Sequence, residues 1–542
     1  MLRETTIRLV VIAGFALCSP ASAERNGQMM DPALDNPEKE WCYSPMSTTV
    51  IGVPFSRPTQ VLFDGSLFTE TTEVCFLYGK PLKPMFARQK TFLKGWMPIV
   101  VYDWNDGDIH YDIEIMSVPL KELGMSGNPL QMIRLRMKNN GDRVAEGTFA
   151  VAQRAYGGHP SEKARNRWGT GPVGPMTSYT AESGKATRRE RLIFTYSGDG
   201  KAYAVPGVPY ARPFRAHEYN ITDRAEVTPI VYSRKLEPGK SFSAEFKMPQ
   251  VPILVGDEKT VAAIKEADYD VHRAKTIAFW EGLIEGHVQF SFPEKRVNDS
   301  WKASLVHLIL ATRGGENAKR RRQGSGLPYE GLFLNDYVDM RLAYDCYGLY
   351  DFVDVNTQWL LDKQAKDGMF IDHSLSGSNA ILASHGQALF SLAHHCFMAP
   401  DKESAEKVYP TVLKGAQWVL EEHRKNKNGL LRPSIPYDNE MVIGHYTSHN
   451  LWGILGLRTT IRLANSLGKA GDAETLLMGH DSYMKSVLKA MDWTIKDKGY
   501  IAPGLYEYRE TPKEKGFWNF GHDWENNMLV YLRLPSWDGH LN

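Results

Sequence analysis

The spacing of apolar and polar residues changes once along the chain. From about residue 45 to residue 250, short runs alternate apolar with polar positions, as in Ile133-Arg134-Leu135-Arg136-Met137-Lys138. Alternation with a period of two predicts half-buried β-strands. We expect hairpin turns at Asn140-Gly141 and Asp106-Gly107, because these dipeptides suit the tight turns of β-hairpins. Many short strands at this spacing predict a β-sandwich.

The second part of the chain has helical periodicity. The change falls between Val255 and Gly286, and from Val297 onward apolar residues recur every three to four positions. The predicted helices include His385 to Met398, Val408 to Val419, Thr447 to a stop at Gly468, and Ala473 to Trp493. Long helices joined by polar loops favour side-by-side helix pairs whose loops gather at one end.

These patterns set the domain organisation. A chain of 542 residues is too long for one ordinary hydrophobic core. The predicted fold class is therefore multidomain α+β, with a β-sandwich over residues 24–254, a helical linker over 255–296 and a helical domain over 297–542.

The first 23 residues are typical of an export signal. Arg3 and Arg8 provide positive charge, Leu9 to Leu17 form an apolar run, and Ala21-Ser22-Ala23 ends in a small-residue cleavage site. The run is too short to span a bilayer. We predict cleavage after Ala23 and a secreted or periplasmic protein with no membrane span.

Composition excludes several function classes and leaves oligomeric state open. The formal net charge of +1 provides no general attraction for nucleic acid. Phosphate-loop, dinucleotide-binding and zinc-protease motifs do not occur. His445 and His449 have the spacing of helical metal ligands, but His445 precedes the predicted start of its helix. We therefore expect no cofactor and no metal.

The segment Pro436-Tyr437-Asp438-Asn439-Glu440 carries the main candidate chemistry. It is followed by Gly444 to Asn450, rich in His, aromatic and Asn side chains, and then by a strongly periodic helix. A carboxylic acid in such surroundings suits acid catalysis on a sugar, because burial raises a carboxyl pKa and keeps the proton in place.

These residues resemble the six-hairpin glycosidase superfamily, nearest to its glucoamylase-like members. In that family a Tyr-Asp dipeptide precedes the general acid, and a Gly leads into a helix that opens with Ser or Thr and aromatic residues. Tyr437-Asp438, Glu440 and Gly444 match that order. The resemblance implies an (α/α)6-barrel glycoside hydrolase with an N-terminal β-sandwich, with Glu440 as the proton donor and inversion as the outcome.

The resemblance extends to the expected substrate site. Asp336 matches an acid that binds sugar hydroxyls, although Asn335 stands where the family has Arg. Asp339 and Arg341 follow on the same predicted helix, and the segment around His385 matches the start of a later barrel helix. The carbohydrate-binding candidates are Asp336, Asp339, Arg341, His385, Asp438, His445, Tyr446 and Trp518.

Asp523 and Glu525 are the candidates for the catalytic base. They lie in a segment that resembles the middle of such a barrel. The toroid therefore looks C-terminally incomplete, and we expect uncovered apolar helix faces. Two alternatives remain open: a polysaccharide lyase acting on a uronate-containing glycan, and a non-catalytic carbohydrate-binding protein.

Overall fold

The structure, a computed structural model, describes residues 49–61, 65–69, 72–84, 90–120, 128–154, 179–188, 190–202, 229–313, 322–324, 334–370, 382–399, 401–433 and 442–510. The chain divides into two compact units at Gly286 and Glu316, with His287–Gln289 assigned to the second. Within the described ranges both helices and antiparallel sheets occur, so the predicted α+β class is confirmed.

Two antiparallel sheets form most of the first unit. The first sheet has the order β1-β2-β3-β4-β10-β15-β14, with β5 on β4. Its strands are β1 (Thr49–Ile51), β2 (Thr59–Val61), β3 (Leu67–Phe68), β4 (Glu73–Tyr78), β5 (Lys83–Pro84), β10 (Ala145–Arg154), β14 (Lys201–Ala202) and β15 (Ile230–Leu236).

The second sheet has the order β11-β12-β13-β16-β9-β8-β7-β6, with β17 on β13. Its strands are β6 (Thr91–Leu93), β7 (Met97–Asp106), β8 (Ile109–Val118), β9 (Leu130–Asn139), β11 (Thr180–Glu182), β12 (Lys185–Arg188), β13 (Arg191–Tyr196), β16 (Ser241–Pro249) and β17 (Ile253–Leu254). Buried residues of both sheets share one apolar cluster, in which Phe76 and Phe149 of the first sheet join Ile133 and Phe246 of the second.

One of the two predicted hairpins forms and the other does not. Asp106 pairs with Ile109 across a turn at Gly107, whose φ is 60°. The prediction at Asn140-Gly141 is wrong, because β9 pairs with β8 and β16 whereas β10 pairs with β4 and β15. The chain changes sheet at this point, and the Asn139 amide stabilises the crossing by donating hydrogen bonds to the carbonyls of Arg143 and Leu236.

The described part of the first unit also contains three helices, α1 (Glu258–Glu266), α2 (Tyr269–Glu285) and α3 (Lys295–Leu310). The Asp257 and Asp268 carboxylates accept hydrogen bonds from the N–H groups of Thr260 and Val271, so both α1 and α2 begin at capped N-termini. Two short strands follow near the boundary between the units, β18 (Thr312–Arg313) and β19 (Arg322–Gln323).

The described part of the second unit contains three helical hairpins. The first is α4 (Leu334–Tyr347) with α5 (Tyr350–Leu361), the second α6 (Ala383–Met398) with α7 (Lys402–Lys425), and the third α8 (Thr447–Ser466) with α9 (Ala470–Lys498). Connections this short reverse the chain, so the two helices of each pair run antiparallel. Strands β20 (Val442–Tyr446) and β21 (Gly504–Glu510) pair with each other beside α8.

The first helices of the three hairpins run parallel to one another. Arg341 Nε donates to Ser391 Oγ over 2.7 Å, and His395 Nδ1 lies 2.6 Å from Asp345 Oδ1. The two contacts are four residues apart in the same order on both helices, so α4 and α6 run in the same direction. Gly386 packs directly on Trp452, so a Cβ at Gly386 would approach the Trp452 carbonyl carbon to 2.3 Å. The N-termini of α4, α6 and α8 therefore lie at one end of the unit, which we call the site end.

A buried charge cluster ties α4, α5 and α6 together at the opposite end. His395 lies between the Asp345 carboxylate, at 2.6 Å, and the Asp354 carboxylate, at 3.0 Å. Asp345 is 2% exposed, whereas the Asp354 side chain is 51% exposed. Burial lowers the pKa of His395, but hydrogen bonds to the two carboxylates outweigh it and the pKa lies above the ordinary value.

Within the described residues, none of the helices is both long and apolar enough to cross a membrane.

Candidate functional site

Two long connections of the second unit meet the site end. Helices α5 and α7 run toward this end and stop there, so residues 362–382 and 426–446 both connect helices at the side where α6 and α8 begin. Glu440 and Asp438 belong to residues 434–441, which lie outside the described residues, as do Trp518, Asp523 and Glu525. The structure describes the residues on either side of the 434–441 segment.

We call residues 426–433, before that segment, the first stem, and residues 442–446, after it, the second stem. A side-chain hydrogen bond joins the two stems. His445 Nδ1 lies 2.7 Å from the Leu431 carbonyl oxygen. Because a carbonyl only accepts, His445 carries its proton on Nδ1 and presents an unprotonated Nε2. Burial lowers the pKa of the half-buried His445, so the imidazole is neutral at pH 7 and Nε2 is able to accept a proton.

Buried Asn450 fixes the first stem against α8. Its Oδ1 accepts hydrogen bonds from the Leu431 N–H, at 2.9 Å, and from the Tyr483 hydroxyl, at 2.8 Å. Its amide nitrogen donates to the Tyr446 carbonyl at 2.6 Å. These bonds use the polar atoms of Asn450 inside the protein and connect the stem, the start of α8 and the middle of α9.

An ion pair anchors the same stem to α7. Arg432 Nε donates to Glu422 Oε2 at 2.7 Å, and the Arg432 guanidinium lies 5.2 Å from the centre of the Trp418 ring. Glu422 and Trp418 are both buried. The Trp418 indole in turn donates to Asp367 Oδ2 at 3.3 Å, which links the stem to the other long connection.

The second stem enters α8 through β20. Tyr446 is buried, and its ring centre lies 4.7 Å from that of His449. Thr447 uses both its N–H and its hydroxyl, which donate to the carbonyls of Pro503 and Ala502. Helix α8 thus begins at Thr447, as predicted, and Tyr446 is the residue that precedes its first turn.

Asp336 and Asp339 lie on the first turns of α4, at the site end, and both are exposed. Neighbouring protein removes part of the hydration of Asp339, and together with the Asp336 carboxylate this raises the pKa of Asp339. A sugar-binding role for either carboxylate stays a prediction.

Arg341 and His385 face the interior of the unit. Arg341 is 2% exposed and donates to Ser391 Oγ, Val353 O and Thr357 Oγ1. His385 Nδ1 accepts from the Phe370 N–H, and its Nε2 donates to the Gly415 carbonyl. Burial lowers the pKa of His385 to about 4, so it is neutral. A sugar-binding role for either residue stays a prediction, and a ligand reaching them would have to displace internal hydrogen bonds.

Among the residues that the structure describes, no group of three or more His, Cys, Asp or Glu side chains is arranged to bind a metal ion.

Sequence reasoning singled out His445 and the segment Gly444 to Asn450, but it missed the partners that anchor them. Leu431, Tyr483, Glu422 and Arg432 belong to no motif, and their spacing fits no single helix face. The only sequence signal was the long polar connection before α8, which is typical of functional loops.

No protein-family model matches the chain, and no curated protein matches it. Among solved structures, a putative kojibiose phosphorylase from the human microbiome is 8% identical at a TM-score of 0.36, covering 82% of this chain and 63% of that protein. A GH78 family rhamnosidase of Bacillus sp. GL1 is 13% identical at a TM-score of 0.35, covering 70% of this chain and 33% of that protein. These neighbours are carbohydrate-active enzymes, and the chain spans less than two thirds of the length of either. TM-scores below 0.5 do not establish a shared fold or assign a function.

Proposed function

We propose that this protein is an exported glycoside hydrolase that cleaves a glycosidic bond in an oligosaccharide or polysaccharide, with inversion. In this proposal the first unit is a β-sandwich and the second is part of an (α/α)6-type toroid. The supporting observation is the double anchoring of the 434–441 segment at the site end. Its stems are joined by the His445 to Leu431 hydrogen bond and fixed by Asn450 and by the Glu422 to Arg432 ion pair.

Glu440 is the proposed general acid, because it lies between these anchored stems in sequence. Glycoside hydrolysis needs a protonated carboxyl group at the leaving oxygen and a second carboxylate that activates water. Asp523 or Glu525 is proposed to supply the base. Asp336, Asp339, His445 and Asp438 are proposed to bind sugar hydroxyls, with Tyr446 and Trp518 as neighbouring aromatics. Arg341 and His385 complete the proposed sugar-binding set, and a ligand that reaches them displaces hydrogen bonds that they make inside the protein.

Glu440→Gln tests the proposal. The variant is expected to fold normally and to lose about 10²-fold or more in turnover, the usual scale for removing general acid catalysis. Hydrolysis is measured as new reducing ends on a panel of oligosaccharides, with and without inorganic phosphate, so that phosphorolysis is detected separately. Glu403→Gln is the matched control, because Glu403 is 79% exposed on α7 and has no part in the proposed site. Full activity in Glu440→Gln would exclude Glu440 as the acid.

One observation favours a second candidate, a polysaccharide lyase. The neutral His445, with its proton on Nδ1, has the protonation state of a base that removes a proton beside a uronate carboxylate. A lyase forms an unsaturated product that absorbs in the near ultraviolet, whereas a hydrolase does not. In that case His445→Ala abolishes product formation and Glu440→Gln leaves it intact.

A further inference from the structure

A mostly apolar groove of about 550 Å³ runs along α9 in the second unit. Its walls are formed by Leu451 at the start of α8, by Ile501, and by α9 side chains that include Met484, Val487, Leu488 and Ile495. Leu488 is 52% exposed and Ile495 is 42% exposed. Large apolar side chains gathered in one concave surface normally mark a docking site.

The apolar side chains of α9 that line the groove lie along one face of the helix. Met484, Leu488, Met491 and Ile495 follow the spacing of one helix face. Met491 is buried in the apolar core of the unit and Met484 packs partly against it, whereas Leu488 and Ile495 are exposed. A helix face that met only water would carry polar residues at such positions, so the exposed part of this face suits a covering partner.

The sequence after Glu510 contains a segment of matching character. Residues 511–542 follow β21, and they include Trp524, Met528, Tyr531 and Leu532, at positions i, i+4, i+7 and i+8. This spacing predicts an amphipathic helix, and Asp523 before it suits an N-cap. A helix over residues 524–534 would rise about 16 Å, the same distance that α9 covers between Met484 and Ile495.

We propose that residues 524–534 form an amphipathic helix that docks in the α9 groove. The place where the described chain ends supports this occupant. Glu510 pairs with Val442 at the site end, and Leu451, Ile495 and Ile501 line the groove at that same end. The charged residues of the wall, Lys489 and Asp492, have opposite signs and favour neither sign of charge on the occupant.

In this proposal the docked helix starts at the site end, where β21 ends, and extends away from it, parallel to α8. Asp523 and Glu525 are then at the end of the unit where the proposed general acid lies. This placement of the two carboxylates rests on the proposed function, whereas the docking itself does not.

Hydrogen exchange on the full chain tests the docking without using activity. In the wild type we expect amides of residues 524–534 to exchange about 10²-fold or more slowly than in a free peptide. Leu488→Asp places a charge in the groove and is expected to remove that protection. Met478→Asp is the matched control, because Met478 is on the same helix, is 64% exposed and does not line the groove.

Met528→Asp places the charge on the docking segment and is expected to remove the same protection. This second variant keeps the test decisive if Leu488→Asp does not fold. Three outcomes would overturn the proposal: exchange of residues 524–534 at the free-peptide rate in the wild type, full protection in Met528→Asp, or protection that rises with protein concentration together with a dimer in light scattering. The last outcome would assign the groove to a second copy of the chain.

Discussion

His395 offers the sharpest test of how the second unit is held together. Its Nδ1 contacts the buried Asp345 carboxylate and its Nε2 contacts the exposed Asp354 carboxylate. Replacement by Gln removes the donor that sits at the Nδ1 position. Replacement by Asn keeps an amide nitrogen close to that position, so His395→Asn is a matched control. Asp354→Asn removes the exposed contact alone.

The expected cost follows from the burial of Asp345. Leaving one member of a buried ion pair without its partner costs about 3–5 kcal/mol. His394 Nδ1 remains 3.7 Å from the Asp345 carboxylate and compensates in part. We therefore expect His395→Gln to lose about 3 kcal/mol, which lowers the Tm of a unit of this size by about 6–12 °C. Asp354→Asn is expected to lose less than about 1 kcal/mol, because its side chain is mostly exposed.

The loss should depend on pH with a definite sign. The pKa of His395 is raised above its ordinary value of 6.5, so its contribution is complete below about pH 6.5 and declines as pH rises through the raised pKa. Burial raises the pKa of Asp345, but its bonds to His394 and His395 outweigh this and lower it below 3.8, so its contribution is lost only in stronger acid. Calorimetric unfolding between about pH 4.5 and pH 9 measures the difference between wild type and His395→Gln. A difference under about 1 kcal/mol, or one equal at both ends of that range, would refute an ion pair at His395.

Three further outcomes are expected. Gly386→Ala should destabilise the second unit by about 1–3 kcal/mol or more in urea unfolding, because the new Cβ meets the Trp452 backbone. Gly282→Ala should stabilise α2 by about 1 kcal/mol, since a Cβ there meets nothing within 4 Å. An unchanged free energy of unfolding would contradict the presence of open space beside Gly282. Asn450→Ala should cost about 1–3 kcal/mol and increase hydrogen exchange at Leu431, whereas unchanged exchange there would show that Asn450 does not fix the stem.

The sequence pattern predicts elements well where they depend on local chemistry. Helix α6 matches its predicted span within two residues, and the turn at Gly107 forms because its φ of 60° suits glycine. Asn140-Gly141 has equally good turn chemistry, yet β10 pairs in the other sheet. The partner of a strand depends on which apolar faces meet in the core, and a dipeptide carries no information about that.

In the candidate site, too, local sequence predicts the elements but not the contacts between residues that are distant in sequence. The helix after Tyr446 is predictable from its apolar spacing, and Asp336 and Asp339 are confirmed to share a helix. Arg341 and His385 had the residue types of a binding site, but their environment is set by Ser391, Val353, Phe370 and Gly415, which reach them only after folding. The anchors of the 434–441 segment likewise join residues from separate elements.

The common direction of α4, α6 and α8 has an electrostatic consequence. Each helix carries a partial positive charge of about half an electron unit at its N-terminus, from aligned peptide dipoles. The C-termini of α5, α7 and α9 lie at the same end and carry the opposite partial charge, so the dipoles of each antiparallel hairpin largely cancel over the unit. What remains is a local effect within about one helical turn, so an anionic group on a ligand is favoured directly beyond the N-terminus of α4, α6 or α8 and disfavoured beside the C-termini of their partners.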